Sequence, residues 1–451
     1  MIHTIHELVW GTWLLALFLG IGIFYTLKSR FFQVRKLGYW WKHTIGSIRE
    51  EEVEEGDVSK FQTACTALAA TIGTGNIVGV ATALTAGGPG AIFWMWVSAA
   101  IGMMTGYAET MLGIRYRYKD KKGAWVCGPM VYLEKGLKLP GIGMVYSFLC
   151  IMVSLGMGSM VQSNSISETM AYSFQIKPVM VGIILTGIVF LVIAGGISRI
   201  AVVSEQLIPL TAGFYIIFSL IIIMSCYDQI PAIFKSIFSD AFRIRAIVPG
   251  TAAYGISKSI QYGISRGVFS NEAGLGSMAV LHGAAENTTP YEQGMWAMFE
   301  VFFDTVIICT MTAFVILCMT GGDPAASGYD GAALTAYSFS VRLGSLGEYL
   351  VALAMLLFAF ATIIAWYYLG RQAAGYLAER LKERGRLVIV QRILRGKVYT
   401  ALYLCAVFTG CMAKLDTVWE FSDIWNGLMA LPNIFALIFL AKKVTFPEGK
   451  G

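Results

Sequence analysis

The chain has 451 residues, 56% of them hydrophobic and 14% charged, with a mean hydropathy of +0.65. That is more apolar material than a soluble core and its surface require, which argues against a disordered chain and against a soluble enzyme. The net charge of +6 comes from basic residues that flank apolar runs, the pattern of membrane topology rather than of nucleic-acid binding.

A helix needs about 20 apolar residues to cross a bilayer. The run 9–27 is the first of that length; no basic stretch precedes it, so it reads as a spanning helix and not as a cleavable signal. The segment 46–60, rich in glutamate from Glu50 to Glu55, reads as a solvated connector. The uncharged run 61–108 is interrupted by Gly87-Gly88-Pro89-Gly90, which predicts a helical hairpin. Further spans are expected over 142–165, 178–198, 206–227, 251–281, 294–322, 349–370, 398–413 and 424–441, eleven in all. Cys65, Cys127, Cys150, Cys226, Cys309, Cys318, Cys405 and Cys411 form no CxxC pair and no Cys/His cluster at metal-ligand spacing, so they read as small apolar fillers.

The segments 28–61, 115–141, 199–205, 282–293, 371–398 and the C-terminal tail hold 26 Lys and Arg, the opposite set of connectors 6. This asymmetry predicts an outside N-terminus and a cytoplasmic C-terminus in the cell membrane. The remaining two, Lys258 and Arg266, fall within the seventh span.

Backbone at mid-membrane that lacks helical hydrogen bonds survives only where protein or a watery cavity lines it, so glycine clusters inside spans are informative. The second span contains Thr71-Ile72-Gly73-Thr74-Gly75-Asn76-Ile77-Val78-Gly79, and the seventh contains Ser265-Arg266-Gly267-Val268-Phe269-Ser270-Asn271-Glu272-Ala273-Gly274-Leu275-Gly276-Ser277. Close packing of Gly75 and Gly79 against a neighbouring helix is the bland reading of the first cluster. A phosphate-cradling loop is ruled out because no lysine follows the glycines and no strand precedes them. Spans 2 and 7 head two five-span groups of opposite direction, and matched interruptions of that kind point to a transporter's site. The expected fold is therefore all-α and polytopic: an N-terminal helix and connector over 1–61, five-helix repeats over 62–227 and 251–441, an extracellular connector over 228–250 and a tail over 442–451.

The run Gly87-Gly88-Pro89-Gly90-Ala91-Ile92-Phe93-Trp94-Met95-Trp96-Val97-Ser98-Ala99-Ala100-Ile101-Gly102 resembles the signature of the alanine or glycine:cation symporter family. Both glycine-rich breaks resemble that family too, and the similarity covers essentially the whole chain. Membership implies uptake of alanine or glycine, with D-alanine a further candidate, coupled to sodium or in some members to protons. It also implies the inverted-repeat fold of bacterial leucine transporters. Phe93, Trp94 and Trp96 themselves read as aromatic anchors near an interface.

By similarity to that fold, the N–H groups of Thr74 and Gly75, with Asn76 nearby, would receive the substrate carboxylate at a half-helix N-terminus. Carbonyls around Thr71, Phe269 and Ser270 would receive the ammonium, and Phe269 and Asn271 would close the pocket. Thr362 and Trp366 stand four apart, on one helical face. Trp366 is expected to cap the substrate side chain, its alternative being a packing tryptophan. Sodium, a hard cation, would take the carbonyls of Ala69, Ile72 and Ala359 with the Thr362 hydroxyl. The related fold often carries a second hydroxyl after this threonine, where this chain has Ile363. Gln162, Asn164 and Glu272 form a second tier, and Arg266, Glu109, Glu300 and Asp304 read as locally paired in-membrane charges. Beyond sodium as coupling ion and the lipid bilayer, no cofactor, nucleic acid or obligate protein partner is expected. A channel is the first rival reading, although no filter sequence stands out. An enzyme is the second, although no HExxH or nucleophile elbow is present.

Overall fold

Peptide groups in hydrocarbon must be paired within their own segment or by buried neighbours, and the chain meets this with helices almost throughout. The computed structural model describes residues 2–50, 58–121, 123–242, 258–383 and 397–447; parts of the charged connector, of the 228–250 connector, of the start of the seventh span and of the last two cytoplasmic segments lie outside them. In chain order the α-helices are α1 (Ile2–Val9), α2 (Thr12–Lys28), α3 (Phe32–Arg35), α4 (Leu37–Lys42), α5 (Lys60–Thr71), α6 (Val80–Gly87) and α7 (Gly90–Tyr116). A short hairpin, β1 (Tyr118–Lys119) with β2 (Trp125–Val126), is followed by α8 (Pro129–Lys135), α9 (Pro140–Leu155), α10 (Gln162–Phe174), α11 (Pro178–Ile193), α12 (Gly196–Met224) and α13 (Ile230–Ala241). The second half comprises α14 (Lys258–Asn271), α15 (Ser277–His282), α16 (Pro290–Val301), α17 (Thr310–Met319), α18 (Gly331–Leu343), α19 (Ser345–Glu383), α20 (Lys397–Gly410) and α21 (Leu415–Phe439).

Local sequence explains many of the boundaries. Ser59 and Gln62 form a capping box at the start of α5, Thr289 and Glu292 form another at α16, and proline opens α8, α9, α11 and α16 where no helical N–H is needed. Among the described residues, seven helical stretches are long and apolar enough to cross a membrane: Thr4–Lys28, Gly90–Tyr116, Pro140–Phe174, Gly196–Met224, Pro290–Met319, Ser345–Glu383 and Val418–Phe439. The pair Lys60–Thr71 and Gly75–Gly87, bent by 51°, makes an eighth if it is one span. The other expected spans fall on shorter or broken helices: α11, α20, and α14 with α15.

Both glycine clusters break their helices. After Thr71 the chain leaves the helix at Ile72 and Gly73 and resumes in a π-helical turn, Gly75–Gly79. After Asn271, Glu272 (φ 57°), Gly274 (φ 97°) and Gly276 (φ 84°) all take left-handed backbone before α15 begins. Two further π-helical turns, Gly156–Val161 between α9 and α10 and Phe302–Cys309 between α16 and α17, interrupt spans the sequence pattern reads as continuous. Helix α7 is the spine against which α2, α13, α14, α15 and α16 pack.

Several expected boundaries are corrected. The connector placed at 199–205 lies inside α12, and the turn is at Ala194 and Gly195; Arg199 Nη1 reaches back to the Leu191 carbonyl at 2.9 Å. The loop placed at 414–422 is the first part of α21, the 320–346 connector contains α18, and the 228–250 connector contains α13. The aromatic run is half-buried and packs on neighbouring helices. Trp94 Nε1 donates to the Ala241 carbonyl at 2.9 Å and Trp96 Nε1 to Thr310 Oγ1 at 2.8 Å, and Phe93 packs on Phe238 and Phe242. All the cysteines are free and buried except Cys405, which is exposed.

Gly276 shows how tightly the second break is held. Its N–H donates to Glu109 Oε2 at 3.1 Å, and a Cβ there would sit 2.2 Å from Pro129 Cγ. Gly276→Ala combines a left-handed backbone with this clash, so it should lower the unfolding free energy by about 2 kcal/mol or more. Thermal unfolding in detergent checks this; an unchanged midpoint would contradict it.

Candidate functional site

The first break frees oxygens on one side of the chain. The Gly73 N–H, which in an unbroken helix would bond the Ala69 carbonyl, donates instead to Asn76 Oδ1 at 3.0 Å. Thr362 Oγ1 lies 3.3 Å from the Ile72 carbonyl and 3.1 Å from the Phe358 carbonyl, and its single proton can serve only one of them. This side of the break therefore offers the Ala69 carbonyl, the Ile72 carbonyl and the Thr362 hydroxyl oxygen. The Ala359 carbonyl lies in the unbroken helix α19, where the helical register assigns it the Ile363 N–H. Gly73 is required sterically, because a Cβ there would stand 2.7 Å from Thr362 Oγ1 and 3.0 Å from Gln162 Oε1.

The two breaks touch. A Cβ on Gly75 would lie 3.1 Å from Ser270 Cα and 3.4 Å from the Phe269 ring. Asp304, in the π-helical turn after α16, ties them together. Its Oδ1 accepts from Asn76 Nδ2 at 2.7 Å; its Oδ2 accepts from Ser270 Oγ at 2.7 Å and from Thr305 Oγ1 at 2.8 Å. Asn271 Nδ2 donates to Thr305 Oγ1 at 3.1 Å and extends the network. Across the breaks, Gln162 Oε1 accepts the Thr74 N–H at 3.3 Å, while Trp366 Nε1 donates to Glu272 Oε1 at 3.1 Å. The buried Trp366 leans on Gly158, where a Cβ would meet its own Cβ at 2.4 Å.

Above Phe269 the ring stacks on Trp419 at 5.1 Å between centroids, and Arg266 lies over both rings while approaching Asp423 at 3.7 Å. Arg266 and Trp419 also border a cavity of about 470 Å³, together with Val78 of the first break, Thr82, Glu168 and Asp330. A smaller one of about 130 Å³, bordered by His6, Arg266, Phe269 and Asp423, adjoins it.

The sequence-derived candidates thus fall into one neighbourhood. Thr74, Gly75, Asn76, Phe269, Ser270, Asn271, Gln162, Thr362, Ile72, Glu272 and Trp366 are joined by the contacts above; Thr71 is the last residue of α5, its hydroxyl turned back to the carbonyls of Ala67 and Leu68 at 3.4 and 3.3 Å. Asn164 lies apart, donating to the carbonyls of Gly410 and Ala413 at 3.0 and 2.7 Å. The Trp366 N–H is engaged by Glu272, so only its ring face is available to a guest. Sequence reasoning treated Asp304 as a locally paired charge and passed over Asn433. The latter donates to Glu109 Oε2 at 2.7 Å and to the Gly274 carbonyl at 2.8 Å, bracing the second break. A buried carboxylate one helical turn from another was the available signal for Asp304; nothing local marks Asn433.

The model of the sodium:alanine symporter family matches residues 1–446. The chain belongs to this family. It is 40% identical to the sodium/alanine symporter AgcS of Methanococcus maripaludis over 446 residues, covering 98% of this chain and 94% of the relative. It is 41% identical to an uncharacterized transporter of Haemophilus influenzae, covering 100% of this chain and 95% of that one. It is also 36% identical to the probable sodium/glutamine symporter GlnT of Bacillus subtilis, covering 98% and 88%. Among solved structures, a mutant manganese transporter of Eremococcus coleocola aligns with a TM-score of 0.52 at 15% identity, covering 86% of this chain and 80% of that one, a likeness of fold. The protein is accordingly a multi-pass membrane transporter of the sodium/alanine symport family.

Removing the Asp304 carboxylate would leave the Thr305 hydroxyl without its acceptor, Ser270 with only Cys309 Sγ, and Asn76 Nδ2 with the Asp304 backbone carbonyl and Cys309 Sγ, at about 1–3 kcal/mol for each group left unsatisfied. Asp304→Ala should therefore lower the thermal midpoint in detergent by several degrees, and Asp304→Asn, which keeps an acceptor, by less. Equal midpoints for the two variants and the parent would contradict this role.

Proposed function

We propose that the protein imports a small neutral amino acid, alanine or glycine, together with sodium by alternating access. The observation that carries the reading is the contact of two broken helices at Gly75 and Ser270, with the oxygens of Ile72 and Thr362 converging beside them. A zwitterion needs donors for its carboxylate, which the half-helix N-terminus at Thr74 and Gly75 supplies once Gln162 yields the Thr74 N–H. Its ammonium needs acceptors, which the Thr71, Phe269 and Ser270 carbonyls supply. Asn76 and Asn271 hold the break residues in register through Asp304 and Thr305. The side chain of the guest faces Phe269 and the ring of Trp366, a confined space that favours a methyl group or a hydrogen. A relative named for glutamine indicates that the family alone does not fix the substrate.

Sodium is assigned to the Ala69 and Ile72 carbonyls and the Thr362 hydroxyl, with the Ala359 carbonyl contributing its second lone pair. Eleven spans in a five-plus-five inverted repeat, with the N-terminus outside, complete the reading. In that orientation the 470 Å³ cavity, bordered by Val78 of the first break and by Trp419, opens outward beside the Phe269–Trp419 stack. Ion and substrate share break residues, so each raises the other's affinity by the same factor.

Uptake of labelled alanine into proteoliposomes under an imposed sodium, potassium or pH gradient tests the reading. Saturable accumulation driven by sodium supports it; unsaturable flux with no accumulation against a gradient, as through a channel, would overturn it. Thr362→Ala should raise the half-saturating sodium concentration about tenfold or more while changing the maximal rate less, and an unchanged sodium dependence would move the ion elsewhere.

A further inference from the structure

A second polar cluster lies where α15 and α16 meet, its Glu300 within hydrogen-bond reach of the Thr71 hydroxyl at the edge of the first break. His282 and Glu300 are buried, with His282 Nε2 3.1 Å from Glu300 Oε2. His282 Nδ1 lies 2.6 Å from Gln293 Oε1, and Gln293 Nε2 donates to Thr288 Oγ1 at 3.2 Å. That donation orients the amide so that its oxygen faces the imidazole, and an amide oxygen only accepts. Nδ1 therefore carries a proton, and a second one must lie between Nε2 and Oε2, either on the acid or on the imidazolium. In both arrangements the pair as a whole is neutral, and loss of that one proton leaves a net negative charge.

The surroundings favour the neutral state while the site is dry. Glu109 from α7, Glu272 from the second break and Asp304 one turn along the same segment lie within electrostatic reach of Glu300. All four carboxyl groups are buried, where an uncompensated negative charge costs several kcal/mol. Positive charge stands further off: Arg117, at the end of α7 and beside Tyr368 of α19, donates to the Gly283 carbonyl at 2.9 Å, and Lys60 of α5 pairs with the half-exposed Glu292 at 3.0 Å. Thr288 Oγ1 lies 3.4 Å from Glu292 Oε2, so the cluster ends within one hydrogen bond of that surface pair.

We propose that the Glu300–His282 pair is a proton-binding site that must empty for the inner ends of α15 and α16 to open. Opening admits water, which solvates the carboxylate; the shared proton passes from the pair to that water, leaving Glu300 ionised and His282 neutral with Nδ1 still protonated. Closure takes one proton back. The inference rests on the transport reading and adds to it an acid-sensitive step on the side where α15 ends.

The test is sodium-driven alanine uptake into proteoliposomes at fixed external pH with the lumen buffered from pH 6 to pH 8, for the parent, Glu300→Gln and His282→Gln. The parent rate should fall about fivefold or more from pH 8 to pH 6, since acid refills the pair and holds the inner side shut. Glu300→Gln, neutral like the filled pair at every pH, should give a flat profile near the parent's pH 6 rate, and His282→Gln, which leaves Glu300 without its proton-sharing partner, should flatten the profile as well; in both, the uptake that remains should depend on sodium. A parent rate that ignores luminal pH, or variants that keep the parental slope, would overturn the proposal and leave sodium coupling standing. Absence of sodium-driven uptake by the parent at every pH would instead sink the transport reading beneath it. Should one variant fail to fold, the parent and the other variant still decide the matter.

Discussion

A peptide group without a partner cannot be left in hydrocarbon, and two stretches of this chain depart from the helix at mid-span. Most of the buried polar chemistry follows from that conflict. Asn76 takes the Gly73 N–H, Gln162 takes the Thr74 N–H, Glu109 takes the Gly276 N–H and Asn433 reaches the Gly274 carbonyl. Apart from Asn76, these partners come from helices distant in sequence, so the breaks can exist only in the assembled bundle. What they leave over, chiefly the oxygens near Ile72 and Thr362, is available to a guest.

The same arrangement explains why ion and substrate are expected to act on one another. Asp304 reaches both broken segments, through Asn76 in one and Ser270 in the other. A displacement of either segment must therefore alter the geometry of its partner. On one side, the Phe269–Trp419 stack and the Arg266–Asp423 approach adjoin the contact of the breaks; elsewhere, the His282–Glu300 pair sits where α15 ends. Charge and aromatic surface are thus gathered beside the broken segments, where the proposed alternation between two accessible states would make and break them.

Much of this was legible in the sequence. Glycine clusters at Gly73–Gly79 and Gly274–Gly276 announced the breaks because few other residues tolerate the close approach at Gly73 or the left-handed backbone at Gly276. The face shared by Thr362 and Trp366 was a matter of helical period. Charge misled where tertiary partners intervene. Arg199 was read as a connector, yet it lies in α12 and satisfies a neighbouring carbonyl. Asp423 helped place a loop end, yet it is buried in α21 beside Arg266 and His6. The indole N–H groups of Trp94 and Trp96 find Ala241 and Thr310, well over a hundred residues away. Such pairings leave no local period or spacing to read.

The most direct measurement is a density map of the protein saturated with alanine and sodium. The account predicts alanine against the Thr74 and Gly75 amides and the Phe269 and Ser270 carbonyls, with an ion beside Ile72 and Thr362 and both helices still broken. Alanine held only in the cavity bordered by Thr82, Glu168 and Asp330, with nothing at the breaks, would contradict it.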